Sequence, residues 1–115
     1  MTTDPNCLFC KIVAGQIPSK KVFEDEQVLV FHDIHPWAPV HVLIIPKRHI
    51  ATLADVDEGD APLLGHMAAL APRLMRELGV TNGFRTVINT GPDGGQEVYH
   101  LHMHAFGGPR PWLKG

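Results

Sequence analysis

Residues 98–106 read Val-Tyr-His-Leu-His-Met-His-Ala-Phe, with histidines at 100, 102 and 104, every second position. A β-strand rises about 3.3 Å per residue and turns successive side chains to opposite faces. One strand through this run therefore sets three imidazoles in a row, about 6 to 7 Å apart, with Tyr99, Leu101, Met103 and Ala105 on the reverse. A row of titratable rings gives up burial that a short chain could use, which points to chemistry. Three readings are open at this level: a wet polar face, a metal site built from strand histidines, and nucleophilic catalysis by a neutral imidazole with its neighbours binding and protonating.

At 115 residues, a single domain spanning 1–115 is expected, near the size at which pairing with a second copy buries useful surface. Ten basic and twelve acidic side chains give a net charge of −2 with histidine neutral. No broad cationic field points to nucleic acid or an anionic membrane, so any phosphate binding is local. The opening Met-Thr-Thr-Asp-Pro-Asn lacks a basic region followed by an apolar run, and no stretch approaches the roughly 18 apolar residues of a membrane span. A soluble, cytoplasmic protein without nucleic-acid or membrane partners is expected. Cys7 and Cys10 are the only cysteines, too few and too close for a disulfide framework.

Asp4 or Asn6 is positioned to cap a short helix from about Cys7 to Ala14, closed by Gly15, with Leu8, Phe9, Ile12 and Val13 as its buried stripe. Lys21 to Glu24 and Gln27 to Asp33 read as a hairpin around Asp25-Glu26. The run Val40 to Ile45 is a continuous apolar strand ended by Pro46. Leu63, Leu64, Met67, Leu70, Ala71, Leu74, Met75 and Leu78 recur at helical spacing, with Asp60 as cap and Gly79 as stop. Pro72 lies inside that helix, and a kink or break is expected there. Arg85 to Thr90 returns to strand, and Gly91-Pro92-Asp93-Gly94-Gly95 turns the chain into the histidine strand. Short connections favour an antiparallel sheet with helices on one face.

The run from Tyr99 to Gly108, a His-x-His-x-His core followed by two glycines, resembles the signature of the histidine triad family. Lys11-Ile12-Val13, Gly15 to Pro18, Phe31 to Ile34, Pro36 to His41 and Gly94-Gly95-Gln96 are similar to its HINT branch, the histidine triad nucleotide-binding proteins. The resemblance covers nearly the whole chain. It implies an α+β fold with a five-stranded antiparallel sheet, one long and one short helix, and a homodimer whose sheets join into ten strands. It also implies hydrolysis of purine nucleoside 5′-phosphoramidates through a covalent nucleotidyl-histidine. Hydrolysis of dinucleoside polyphosphates, and nucleotide binding with incidental turnover, are the other readings.

By position the implied nucleophile is His102. A neutral imidazole is a good nucleophile near pH 7 when its second nitrogen is held by an acceptor, expected here from the backbone. His104 matches the histidine on the phosphate and leaving-group side, where an imidazolium can pass a proton to the amine. His41 resembles a further active-site histidine; a satisfied core histidine is the alternative. Imidazoliums and glycine-loop amides would stabilise charge without a divalent cation in the chemical step.

Asp33 resembles the residue that accepts the ribose hydroxyls. Leu8, Phe9, Ile12, Phe31, Ile34 and Leu43 resemble the slot for the base, or are core alone. Asn89, Gly95 and Gln96 match positions that approach the phosphate. Glu97 departs from the serine found in many members, and a carboxylate there repels phosphate unless turned away or protonated. Trp37 is read as filling space beside Pro36 and Pro39. Trp112 resembles a C-terminal segment that reaches the neighbouring protomer's site. His32, His35 and His66 receive no role.

For Cys7 and Cys10, a redox pair and small packed hydrophobes are two readings. The resemblance adds a third, structural zinc held by Cys7, Cys10, His49 and His100, a tetrahedral set that leaves no open position. His100 would then serve the metal while His102 attacks.

Overall fold

The computed structural model describes residues 3–113. Met1, Thr2, Lys114 and Gly115, part of the expected domain and N-terminal reading, lie outside the described residues. Strands β1 (Lys21–Glu24), β2 (Val28–His32), β3 (Val40–Pro46), β4 (Phe84–Val87) and β5 (Met103–Gly107) form one five-stranded sheet in the order β1-β2-β3-β5-β4, every pair antiparallel. Helix α1 (Leu8–Val13) and helix α2 (Ala61–Glu77) are the expected short and long helices. Among the described residues, no helix is long and apolar enough to cross a membrane.

The hydrophobic pattern decides which face each helix covers. Met67, Leu70, Ala71, Leu74 and Met75 of α2 pack on Val28, Val30, Val42, Ile44, Met103 and Ala105, the alternate residues of three strands. Burying a large apolar side chain is worth about 1.5–3 kcal/mol, and these contacts lie on both sides of Pro72. They hold α2 as one continuous helix, so the expected break does not occur. On the other face, Phe9, Cys10 and Ile12 of α1 pack on Leu29, Phe31, Leu43 and Ile45. Leu8 is 45% exposed and leaves the predicted stripe.

Several local predictions need correction. The cap of α1 is Cys7, whose Sγ accepts the Cys10 N–H, while Asp4 accepts the Asn6 N–H one turn earlier. Asp60 sits at the start of α2 without capping it, because its carboxylate accepts the Asp57 N–H and pairs with Arg48. Residues 88–90 leave the sheet to reach the glycine turn, so β4 ends at Val87.

The largest correction concerns the histidine run. Strand β5 begins only at Met103, because the backbone ahead of it is satisfied elsewhere: Leu101 N–H donates to the Ile50 carbonyl, and the Pro46 carbonyl accepts the ring of His100. Tyr99 is 43% exposed rather than on the reverse face, whereas Leu101, Met103 and Ala105 are buried as expected.

His66, on α2, gains a role here. Its Nε2 lies 2.6 Å from Asp25 Oδ2, while Asp25 Oδ1 accepts the Gln27 and Val28 amides at 2.8 Å each, pinning the β1–β2 turn to the helix. Burial raises the Asp25 carboxyl, but the His66 bond and the two amides outweigh it and hold it below its ordinary value. Asp25→Ala is expected to cost about 1–2 kcal/mol at neutral pH. A lowered folded-state pKa gives stability that is complete above the usual carboxylate range near 4 and fades as pH falls through the folded value. Denaturant melts of wild type and variant should therefore converge in acid; a gap that persists there would exclude the carboxylate as its source.

Candidate active site and metal centre

Strand register builds the site as two rows across the sheet face opposite α2. One row is Phe31, Leu43, His104 and Val87; the next is Asp33, His41, Phe106 and Arg85, with Asp33 N–H donating to the His41 carbonyl. Above them opens a cleft whose lining includes the predicted Leu8, Phe9, Ile12, Phe31, Asp33, Ile34, Leu43, Asn89, Gly95, Glu97, His102 and His104. Ile34 is 84% exposed, so it belongs to the mouth rather than to an enclosed slot.

His102 is buried, and its Nδ1 lies 2.7 Å from the His100 carbonyl. A carbonyl only accepts, so Nδ1 carries the proton and Nε2 keeps its lone pair. Burial lowers the proton affinity of the ring against the pull of that carbonyl and of Asp33, which keeps it neutral. This is the backbone acceptor that the sequence left unnamed.

The neighbouring pair is ordered by the same logic. Trp37 N–H donates to His41 Nδ1 at 3.0 Å, which places the His41 proton on Nε2. That proton is directed at His104 Nδ1, 2.9 Å away, and so the proton of a neutral His104 sits on its Nε2. Burial lowers the proton affinity of His41, opposed by Asp33, whose Oδ2 is 3.5 Å from Nε2. In the ligand-free protein His41 is thus a ring whose Nε2 proton is directed at His104. His41 does not line the cleft; it orients His104. Trp37, read from sequence as filler, stacks on His104 with centroids 4.3 Å apart and planes at 20°.

The glycine turn also differs from expectation. Gly94 is required, since a Cβ there would lie 2.2 Å from the Thr90 carbonyl oxygen. The Gly95 and Gln96 amides donate to the Pro92 and Gly91 carbonyls, so they are not offered to a phosphate. The Gln96 side chain turns inward: its oxygen accepts the Gly91 N–H, and its amide donates to the Ala51 and Val98 carbonyls. Gln96 braces the turn and does not line the cleft. Gln96→Leu should cost about 2–4 kcal/mol by orphaning those groups, read as a lower melting midpoint; an unchanged midpoint would deny the brace.

Cys7, Cys10, His49 and His100 converge at the foot of α1, their ligand atoms all within 4.8 Å of one another. His100 Nδ1 lies 3.3 Å from Cys7 Sγ, 3.5 Å from Cys10 Sγ and 3.3 Å from His49 Nδ1, and Cys10 Sγ lies 3.4 Å from His49 Nδ1. Tetrahedral zinc, with Zn–S of about 2.3 Å and Zn–N of about 2.0–2.1 Å, separates its ligand atoms by about 3.3–3.8 Å. The donor set and spacing therefore fit that ion. His100 Nε2–H donates to the Pro46 carbonyl at 2.7 Å, which turns the Nδ1 lone pair into the cluster. Burial, reinforced by His49 and His102 against the Pro46 bond, lowers His100 to about 4, the neutral form that a metal needs.

Burial first, then Cys7, raises the Cys10 thiol, so binding a metal would displace its proton. Trp112 is engaged by its own protomer: Nε1–H donates to the Gly108 carbonyl and the ring meets Phe106 edge-on.

A five-stranded antiparallel sheet with buried His104 on β5, and buried His100 and His102 just ahead of it between a cleft and a Cys/His cluster, defines an α+β class. The chain belongs to the histidine triad (HIT) family: the HIT domain matches residues 14–110. It is 50% identical over 104 residues to protein HitA of Neisseria gonorrhoeae, covering 90% of this chain and 97% of that one. A HIT family hydrolase from Legionella pneumophila Philadelphia 1 superposes with a TM-score of 0.88 at 51% identity, over 91% of this chain and 95% of its own. A zinc-bound histidine triad family protein from Mycobacterium smegmatis gives a TM-score of 0.77 at 36% identity, over 87% and 73%.

Proposed function

We propose that this chain hydrolyses purine nucleoside 5′-phosphoramidates through a nucleotidyl intermediate on His102, in the manner of the HINT branch. The observation that carries it is the Nδ1–H bond from His102 to the His100 carbonyl, which leaves a neutral nucleophilic Nε2 on a ring lining the cleft. The hydrolase name of the Legionella relative supports the reaction class.

The base lies against Phe9, Phe31 and Leu43, the ribose on Asp33. The His102 Nε2 lone pair forms a bond to the α-phosphorus as the P–N bond breaks and its electrons pass to the amine. A bound phosphate monoanion and Asp33 raise the proton affinity of the His41–His104 pair, and the proton it takes up goes to the amine. Water then attacks phosphorus and gives its proton to the His41–His104 pair, the Nε2–P bond breaks with its electrons returning to the ring, and the nucleoside monophosphate leaves with Nε2 restored.

Zinc, when bound by Cys7, Cys10, His49 and His100, supplies a structural cross-link with every position filled by protein. The zinc-bound relative and the donor spacing support that assignment. A cytoplasmic homodimer with residues 1–115 as one domain completes the reading; β1 and β4, the outer strands, are each bonded on one side only among the described residues and are the edges available to a second sheet.

Protein quenched in cold alkaline denaturant during turnover of adenosine 5′-phosphoramidate should show by denaturing mass spectrometry an added nucleotidyl group located on His102. Turnover without any adduct, or an adduct on another residue, would overturn the assignment. Faster turnover of diadenosine polyphosphate than of phosphoramidate would move the function to the second reading.

A further inference from the structure

This inference rests on the reading above and concerns the group that leaves. In the second row of the cleft floor, Asp33 stands at one end and Arg85 at the other, with His41 and Phe106 between them. Three strand spacings of about 4.8 Å put their backbones about 14 Å apart. His104 lies between them in the neighbouring row. A nucleotide with its ribose on Asp33 and its phosphorus at His102 therefore sends its departing group over β4, where Arg85 lines the cleft.

Among the described residues, Arg85 has no carboxylate partner. Its guanidinium lies instead over the Trp112 ring, Cζ 5.4 Å from the centroid. Trp112 is itself fixed by its bond to Gly108 and its contact with Phe106. A half-buried guanidinium held by packing rather than by an acid is preorganised for an incoming anion. Because the Gly95 and Gln96 amides are engaged within their own turn, Arg85 is the cation that lines the cleft on that side, while Arg110, with its Cζ 4.5 Å from the same Trp112 ring, is not part of the lining. The cleft, at about 1480 Å³, exceeds the roughly 300–1,000 Å³ of ordinary ligand sites, so it has room beyond a mononucleotide.

We propose that Arg85 reads a negative charge on the leaving group, so that the favoured substrates are nucleotidyl conjugates whose departing moiety carries a carboxylate or a phosphate. Glu97 opposes such an anion, but it is exposed and makes no ion pair with Arg85 among the described residues.

The test compares adenosine 5′-phosphoramidates of glycine and of glycinamide, which differ by one negative charge, and adenosine 5′-triphosphate, whose leaving group is pyrophosphate. Wild type should favour the glycine conjugate in kcat/KM by roughly tenfold or more. Arg85→Gln should erase that ratio, and Arg85→Lys should keep part of it. Calorimetric binding to His102→Ala protein, with and without Arg85→Gln, reads the same discrimination without turnover. Arg85-dependent binding of the triphosphate extends the anion to phosphate, and its absence confines it to carboxylate. Ratios that Arg85→Gln leaves unchanged in both turnover and binding overturn the inference. Arg85-dependent binding with no turnover of any conjugate upholds it and overturns the hydrolase reading instead.

Discussion

His102→Ala protein should hydrolyse adenosine 5′-phosphoramidate at least roughly 10⁴-fold more slowly than wild type in kcat/KM, a loss of about 5.5 kcal/mol of transition-state stabilisation. The size follows from losing a covalent route: without Nε2, water must attack a phosphorus that already bears negative charge, and the remaining groups only bind and orient. Folding should survive, since the substitution removes one buried ring and strands the His100 carbonyl, a cost of about 1–3 kcal/mol. Circular dichroism and a melting curve check this independently of activity. Residual turnover within tenfold of wild type would make water the nucleophile and reduce His102 to a binding group.

The second large effect concerns the cluster beneath α1. Purified protein should carry about one zinc per chain by elemental analysis, and Cys7→Ser with Cys10→Ser should carry almost none. A ligand at a thousandfold excess over its Kd stabilises by about 4 kcal/mol. For a domain of this size each kcal/mol moves the melting midpoint by about 3–6 °C. Chelation or the double substitution should thus lower the midpoint by roughly 12–24 °C. Below the new midpoint, nucleotidylation of His102 should persist, because the acceptor that sets its tautomer is a main-chain carbonyl. Equal zinc in the double variant would remove the cysteines from the ligand set. Loss of the adduct in folded, zinc-free protein would show that the two centres cannot be separated.

The reach of the sequence differs sharply from element to element. The apolar run 40–45 follows from burial on both faces of the sheet, and the spacing of Leu70, Leu74 and Met75 and the alternation of Leu101, Met103 and Ala105 follow from burial on one. All three were legible without coordinates. Ends and caps were not: Cys7 displaces Asp4 as a cap because its sulfur is held against His100, 93 residues away in sequence. Pro72 signals a break locally, and packing on both sides overrides it. The same limit applied within the site. The motif proposes His102, His104, Asp33 and the Cys/His cluster, and the fold sets the first three around one cleft and gathers the cluster at the start of α1, whereas Gln96, placed at the phosphate from sequence, braces the turn. Neither Trp37, which stacks on His104, nor Arg85, which lines the cleft, was singled out from sequence. Each acts across strands, on His104 and beside Phe106, and only register reveals that.

His100 divides its labour between two kinds of atom. Its ring faces the sulfurs, while its carbonyl oxygen, which every amino acid possesses, holds the tautomer of His102. Any replacement at this position keeps that oxygen. A lineage can therefore discard the cysteines and the ring, drifting from a base built of sulfur and imidazole to a purely hydrophobic one, while Nε2 of His102 keeps its lone pair.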